Sequence, residues 1–189
     1  MDGPVIVYLH GFCSSPASWK ARLLGEEMAR RGLGGHFICP QLSPVPDEAI
    51  AAVSRIIEAT PGPVTLVGSS LGGHYANHLA EKYDLRAALI NPATVDRLDL
   101  QNFIGEHANF HTGEHFTFTA AHAAQLRAQV ARPTPAHYWL LVEEGDEVLD
   151  WRQARDFYAG CRQTVLPGGD HSFMKFPEHI PQLLEFARL

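Results

Sequence analysis

The chain is poor in cysteine, in clustered positive charge and in long apolar runs, and each shortage excludes a class of protein. Its three cysteines, Cys13, Cys39 and Cys161, are irregularly spaced and include no C-x-x-C pair. An odd, unpatterned set builds no disulfide framework, and free thiols suit a reducing compartment. Lys and Arg total 15 against 21 Asp and Glu, a formal net charge of −6, and no basic block stands out. Nucleic acid and anionic membrane both need clustered positive charge, so neither is expected as the main partner. The apolar runs are too short to span a bilayer. Met1-Asp2-Gly3-Pro4 leads straight into Val5-Ile6-Val7-Tyr8-Leu9, without the charged start and long apolar stretch of a secretory leader. The expectation is a soluble, cytoplasmic protein with no membrane segment. There is no internal repeat and no low-complexity tract.

What is present fits one packed domain: 189 residues, 46% hydrophobic and 19% charged. Short apolar runs that read as strands (5–9, 37–39, 64–67, 87–90, 138–142 and 163–166) alternate with helical stretches (17–31, 47–59, 70–82, 151–158 and 178–188). Asp47 is expected to cap the second helix and Asp150 the one after the fifth strand. Uninterrupted apolar strands between helices predict an α/β fold, with a mostly parallel sheet of about six strands covered on both faces. Residues 93–136 break the alternation and far exceed an ordinary connection of about 4–6 residues. Ala120–Ala131 and Leu98–Ile104 read as helical there, and the segment holds Phe103, Phe110, Phe116 and Phe118. A helical lid-like insertion over a pocket is expected within a single domain covering 1–189.

The sharpest motif is Gly68-Ser69-Ser70-Leu71-Gly72, a G-x-S-x-G pentapeptide between a strand and a helix. That context is what a nucleophile elbow requires. The sharp turn leaves no room for side chains two positions either side of the serine. Ser70 is the nucleophile candidate; a pentapeptide centred on Ser69 lacks the flanking glycines. A serine hydroxyl needs a base, and in this fold the chain order is Ser, then Asp or Glu, then His. His171, in Gly168-Gly169-Asp170-His171 after the sixth strand, has the base's place among eleven histidines. Asp146, after the fifth strand, is the candidate acid that would hold the imidazole tautomer. Asp96 is a distant second, and Asp170 is too close to His171 in sequence. Acyl transfer also needs an oxyanion hole. The backbone N–H groups of Leu71, after the nucleophile, and of Phe12, after the first strand, are the donors expected. His10 is expected to brace that loop. Together these positions define an α/β-hydrolase with a serine nucleophile.

The residues also resemble the small YqiA-like esterase family. The likeness runs through His10-Gly11-Phe12, Ser14-Ser15-Pro16, Gly68-Ser69-Ser70-Leu71-Gly72-Gly73, Asn91-Pro92-Ala93, Thr112-Gly113-Glu114, Gly145-Asp146-Glu147-Val148-Leu149-Asp150 and Gly169-Asp170-His171, nearly the whole chain. It implies a compact hydrolase with no metal or organic cofactor, acting on short acyl esters and on acyl-CoA thioesters as further candidates. It supports Ser70, Asp146 and His171 as the triad. One departure is His111, where an aromatic such as Tyr is expected.

Other signals are weaker. His74/His78 and His111/His115 have spacing that can place two imidazoles on one metal, but packing and surface roles are the better reading. Cys13 reads as a small buried hydrophobe beside the oxyanion loop. Trp19, Trp139 and Trp151 read as core. The expected partner is a small-molecule acyl ester or thioester; the oligomeric state stays open. The competing readings are a ligand-binding or regulatory module on a hydrolase fold, since fold alone does not prove catalysis, and a metal-dependent hydrolase using the paired histidines.

Overall fold

A computed structural model describes residues 3–189; the Met1-Asp2 start used above lies outside them. Six parallel strands form the main sheet in the order β2-β1-β3-β4-β7-β8. They are β1 (Val5–Leu9), β2 (Phe37–Ile38), β3 (Val64–Ser69), β4 (Arg86–Ile90), β7 (Tyr138–Glu143) and β8 (Arg162–Leu166). Every residue of β1, β3 and β7 is buried, which explains why they are mostly apolar. Side chains alternate between faces. Val5, Val7 and Leu9 meet α2 (Pro46–Ala59) and α3 (Leu71–Tyr83) on one face; Ile6 and Tyr8 meet α1 (Trp19–Arg30) and α6 (Phe176–Phe186) on the other. Both sheet faces are therefore covered by helices, as a parallel sheet requires.

Helix ends follow local chemistry. At the end of α1, Gly32 has φ +77° while its N–H and that of Leu33 return to the carbonyls of Ala29 and Met28, a glycine-dependent Schellman stop. Asp150 caps α5 (Trp151–Phe157), its carboxylate accepting the Arg152 N–H. Asp47 does not cap α2. Val45 holds that position and Pro46 opens the helix, because proline's fixed φ suits the first helical residue. Asp47 lies in the first turn, where Gln129 donates to it at 2.8 Å.

The 93–136 segment is helical only in part: the helix expected over Ala120–Ala131 forms, but the rest differs. It contains an antiparallel hairpin, β5 (Gly105–Ala108) and β6 (His115–Phe118), before the helix α4 (Ala120–Ala128). Leu98–Ile104 forms only a short 3₁₀ turn over Leu100–Phe103. His115-Phe116-Thr117-Phe118 alternates polar with aromatic, a strand pattern, and Gly113 at φ +71° lets the chain turn back. Trp139 is fully buried, whereas Trp19 and Trp151 are half-buried at the core margin.

Candidate active site

Chain direction across the sheet reverses between β1 and β3: from β1 the chain steps outward to β2, from β3 it proceeds towards β8. In parallel sheets that switch point leaves a crevice beyond the strands' carboxyl ends. The loops after β1, β3, β7 and β8 bring Phe12, Ser70, Asp146 and His171 to that end.

Ser70 stands between β3 and α3 at φ 55°, ψ −123°. A non-glycine residue holds positive φ only under firm constraint. Here the Ser70 N–H donates to the Ile90 carbonyl at 3.1 Å, and the Ser70 carbonyl accepts from Gly73 at 2.9 Å and Ala93 at 3.0 Å. The flanking glycines are steric necessities. A Cβ on Gly68 would lie 2.3 Å from the Gly72 carbonyl oxygen, and one on Gly72 only 2.0 Å from the Leu9 carbonyl oxygen.

The loops carrying Asp146 and His171 are zipped together. Gly145 donates to the Gly168 carbonyl at 2.8 Å and Glu144 to that of Leu166 at 2.9 Å. His171 Nδ1 lies 2.8 Å from Asp146 Oδ2, and His171 Nε2 lies 3.1 Å from Ser70 Oγ. A carboxylate only accepts, so the imidazole proton sits on Nδ1 and leaves Nε2 free to accept from the serine hydroxyl. The Asp146 side chain is 1% exposed and that of His171 21%. Asp146 Oδ1 also accepts the N–H groups of Val148 at 2.9 Å and Leu149 at 2.8 Å.

Several residues with no role assigned from sequence hold the His171 loop. Asn91, itself at φ 40°, donates through Nδ2 to the carbonyls of Asp170 at 3.1 Å and His171 at 3.2 Å, and its Oδ1 accepts the Glu143 N–H at 3.0 Å. Glu147 accepts the His171 N–H at 2.9 Å, which holds that exposed carboxyl below its usual range. Fully buried Glu143 accepts the Asp170 N–H at 2.9 Å. Lys20 donates to the Ser172 carbonyl at 2.7 Å; burial pushes its ammonium down to about 8. Asn91 and Glu147 both stand in motifs noted in the sequence, at strand ends; Glu143 and Lys20 carried no such signal.

Leu71 N–H heads α3, where the first amides have no intrahelical acceptor. Neither it nor Phe12 N–H donates to a backbone carbonyl among the described residues. Phe12, Ser70, Leu71 and His171 line one cavity of about 730 Å³. Gly11 packs against Ser70: a Cβ there would be 3.7 Å from Ser70 Oγ. His10 braces this loop. Its Nε2 accepts the Leu42 N–H at 3.1 Å, so Nδ1 carries the proton and donates to the Gly11 carbonyl at 3.0 Å. Burial lowers its pKa and keeps it neutral.

Much of the cavity is apolar, and Ala93, Val95, Leu98, Leu100, Phe103 and Phe118 of the 93–136 segment line it. Exposed Phe110 and Val148 also line it. Cys13 is buried, and burial raises its thiol pKa, which fits an inert packing residue. His74 is buried, His78 contacts the Gln129 carbonyl, and His111 and His115 are exposed. No group of three or more His, Cys, Asp or Glu able to hold a metal ion occurs among the described residues. No helix among them is long and apolar enough to cross a membrane.

The model of the family described as "Uncharacterised protein family (UPF0227)" matches residues 5–188. The chain belongs to this family. It is the family to which the YqiA-like resemblance pointed. Among solved structures, the chain resembles alpha/beta hydrolase domain-containing protein 10 from mouse, with TM-score 0.72, 20% identity, and coverage of 98% of this chain and 89% of that one. It also resembles a structure from the study of the metagenome-derived lipolytic enzymes LipS and LipT (TM-score 0.69, 18% identity, 99% and 95% coverage). A third match is the esterase domain of a Rhodothermus marinus protein (TM-score 0.68, 18% identity, 98% and 86% coverage). At these identities the likeness establishes the α/β-hydrolase fold.

Proposed function

We propose that the protein is a serine hydrolase of carboxylic esters and thioesters. The observation that carries this reading is the relay from Asp146 Oδ2 to His171 at 2.8 Å and from His171 to Ser70 Oγ at 3.1 Å, at the wall of a largely apolar cavity. Ser70 Oγ attacks the acyl carbon while His171 Nε2 takes its proton. The tetrahedral oxyanion is held by the N–H groups of Phe12 and Leu71. Collapse breaks the bond to the alcohol or thiol, which leaves with the proton from His171. Water then attacks the acyl-enzyme, His171 takes its proton and returns it to Ser70, and the carboxylic acid departs. Asp146 stabilises the imidazolium that forms twice in the cycle. The 93–136 segment is the roof of the acyl site, and its apolar lining suits an aliphatic acyl group. The names of the solved relatives, an esterase domain and lipolytic enzymes, agree with ester substrates.

The test begins with a fluorophosphonate probe, intact-mass measurement and peptide mapping. The expected result is one label per chain, on Ser70, and none in His171→Ala. Ser70→Ala is expected to lower hydrolysis of p-nitrophenyl butyrate by at least about 10⁴-fold. Wild-type hydrolysis by Ser70→Ala would overturn the mechanism. Folded protein that binds acyl ligands without labelling or turnover would favour a binding module. A screen of acyl esters and acyl-CoA thioesters by chain length then identifies the substrate.

A further inference from the structure

The hairpin of the 93–136 segment grips the loop that carries Phe12. The Phe12 ring sits edge-on to Phe103, His107, Phe116 and Phe118, with ring centroids 6.1, 4.9, 5.6 and 5.5 Å away. The two carbonyls that follow Phe12 both accept from the start of the hairpin turn, and Gln41 Nε2 reaches the Ser14 carbonyl as well, at the longer distance of 3.4 Å. Phe110 N–H donates to the Cys13 carbonyl at 2.8 Å, and Asn109 Nδ2 donates to the Ser14 carbonyl at 2.7 Å. Cys13 stands between these points at φ 54°, a conformation that costs a non-glycine residue about 1–2 kcal/mol. The loop needs outside support to stay in that shape, and the hairpin supplies it.

We propose that Asn109 is a positioning residue for the oxyanion hole: by holding Ser14, it keeps the Phe12 N–H aimed at the space beside Ser70. This rests on the serine-hydrolase reading above. Asn109 touches no reacting atom. Its effect reaches catalysis through the backbone of residues 12–14, so the hairpin both lines the cavity and sets the geometry of one charge-stabilising donor. Because negative charge develops on the acyl oxygen only in the transition state, a misplaced donor lowers kcat and leaves ground-state binding alone.

The side-chain chemistry of Asn109 allows a clean test. Its Nδ2 makes the bond to Ser14, while its Oδ1 accepts the N–H groups of His111 at 2.9 Å and Thr112 at 3.1 Å and so closes the hairpin turn. Asn109→Asp keeps the acceptor that shapes the turn and turns an oxygen towards the Ser14 carbonyl. The expected result is a fall in kcat of about tenfold or more with KM changed by less than about twofold, since losing a whole oxyanion donor costs about 10²–10³. Inhibition by an alkyl trifluoromethyl ketone, whose serine adduct places an oxyanion in the same hole, is expected to weaken by a similar factor. If Asn109→Asp does not fold, Asn109→Ser decides the matter: its hydroxyl can still accept a turn N–H but is too short to reach the Ser14 carbonyl, and the same split is expected. Wild-type kcat and ketone affinity in the folded variant, or a loss confined to KM, would overturn the positioning role. Ser70→Ala separates the two claims. If Ser70→Ala is inactive and Asn109→Asp behaves as wild type, only the positioning role falls; if Ser70→Ala is active, the hydrolase reading falls first.

Discussion

Asn91 shows how much one side chain decides about the site. Its backbone turns at φ 40° after β4, and its buried amide ties β7 to the Asp170-His171 peptide with three hydrogen bonds. Alanine there would leave the Glu143 N–H and the His171 carbonyl without their partner, while the Asp170 carbonyl keeps the Phe173 N–H at 3.1 Å; an unsatisfied buried group costs about 1–3 kcal/mol. Alanine also tolerates positive φ less well than asparagine. Asn91→Ala is therefore expected to lower unfolding free energy by about 3 kcal/mol, measured by urea denaturation, and to slow fluorophosphonate labelling of Ser70 because His171 loses its anchor. Unchanged stability and labelling rate would show that Glu147, Glu143 and Lys20 hold the loop without it. The same scale explains why Asp146 rather than Asp170 faces the imidazole. The Asp170 N–H is directed to Glu143 and its carbonyl to Asn91, while Asp146 comes from a different strand end and can meet Nδ1 across the gap.

At the scale of elements, the β3–α3 elbow is the most constrained unit in the chain. It brings a strand, a helix N-terminus and the end of β1 together so closely that backbone occupies the space where side chains would go. Gly72→Ala is expected to cost about 3 kcal/mol or more, because the clash is with the Leu9 backbone and not with a side chain able to swing aside. Thermal unfolding would show this as a large fall in midpoint; a variant as stable as wild type would mean the elbow relaxes freely. The elbow was legible in the sequence because its serine and both glycines fall within five consecutive residues, even though the Leu9 backbone is what excludes a side chain at Gly72. The β5–β6 hairpin was not read, although alternation in 115–118 and Gly113 were both present. The helical reading of Leu98–Ile104 stops before the hairpin, whose aromatic face finds its partner only when the chain folds and Phe12 packs against Phe116 and Phe118.

Across the whole molecule, the helices that pack the insertion against the sheet carry an acid sensitivity. His78 Nδ1 lies 3.0 Å from the Gln129 carbonyl at the end of α4, and His74 is buried one turn earlier on α3 with its Nε2 unpartnered. Burial, with His78 adding to it, pushes the His74 pKa from 6.5 down to about 4. A histidine whose folded pKa is depressed binds fewer protons in the folded state than in the unfolded chain. Stability is therefore retained above pH 6.5 and falls as pH drops towards 4. At about 1.4 kcal/mol per pH unit this amounts to roughly 3 kcal/mol. Urea denaturation between pH 7 and 4 is expected to show His74→Leu losing about that much less stability than wild type; parallel curves for the two proteins would refute it.

The sequence by itself determined the alternation of strands and helices, the elbow and the chain order Ser70, Asp146, His171. Each depends on a local rule: apolar runs buried on both faces, glycines where a turn leaves no space, or the order in which strand ends arrive. Only the tertiary structure decided which partners hold the site in place. Asn109 meets Ser14 from 95 residues away, Asn91 meets Asp170 from 79, and Lys20 meets Ser172 from 152. Such pairs have no periodicity and no fixed spacing. They arise when the sheet aligns its carboxyl ends and brings loops remote in sequence within hydrogen-bond reach, so the residues that line up the chemistry emerge only once the chain is folded.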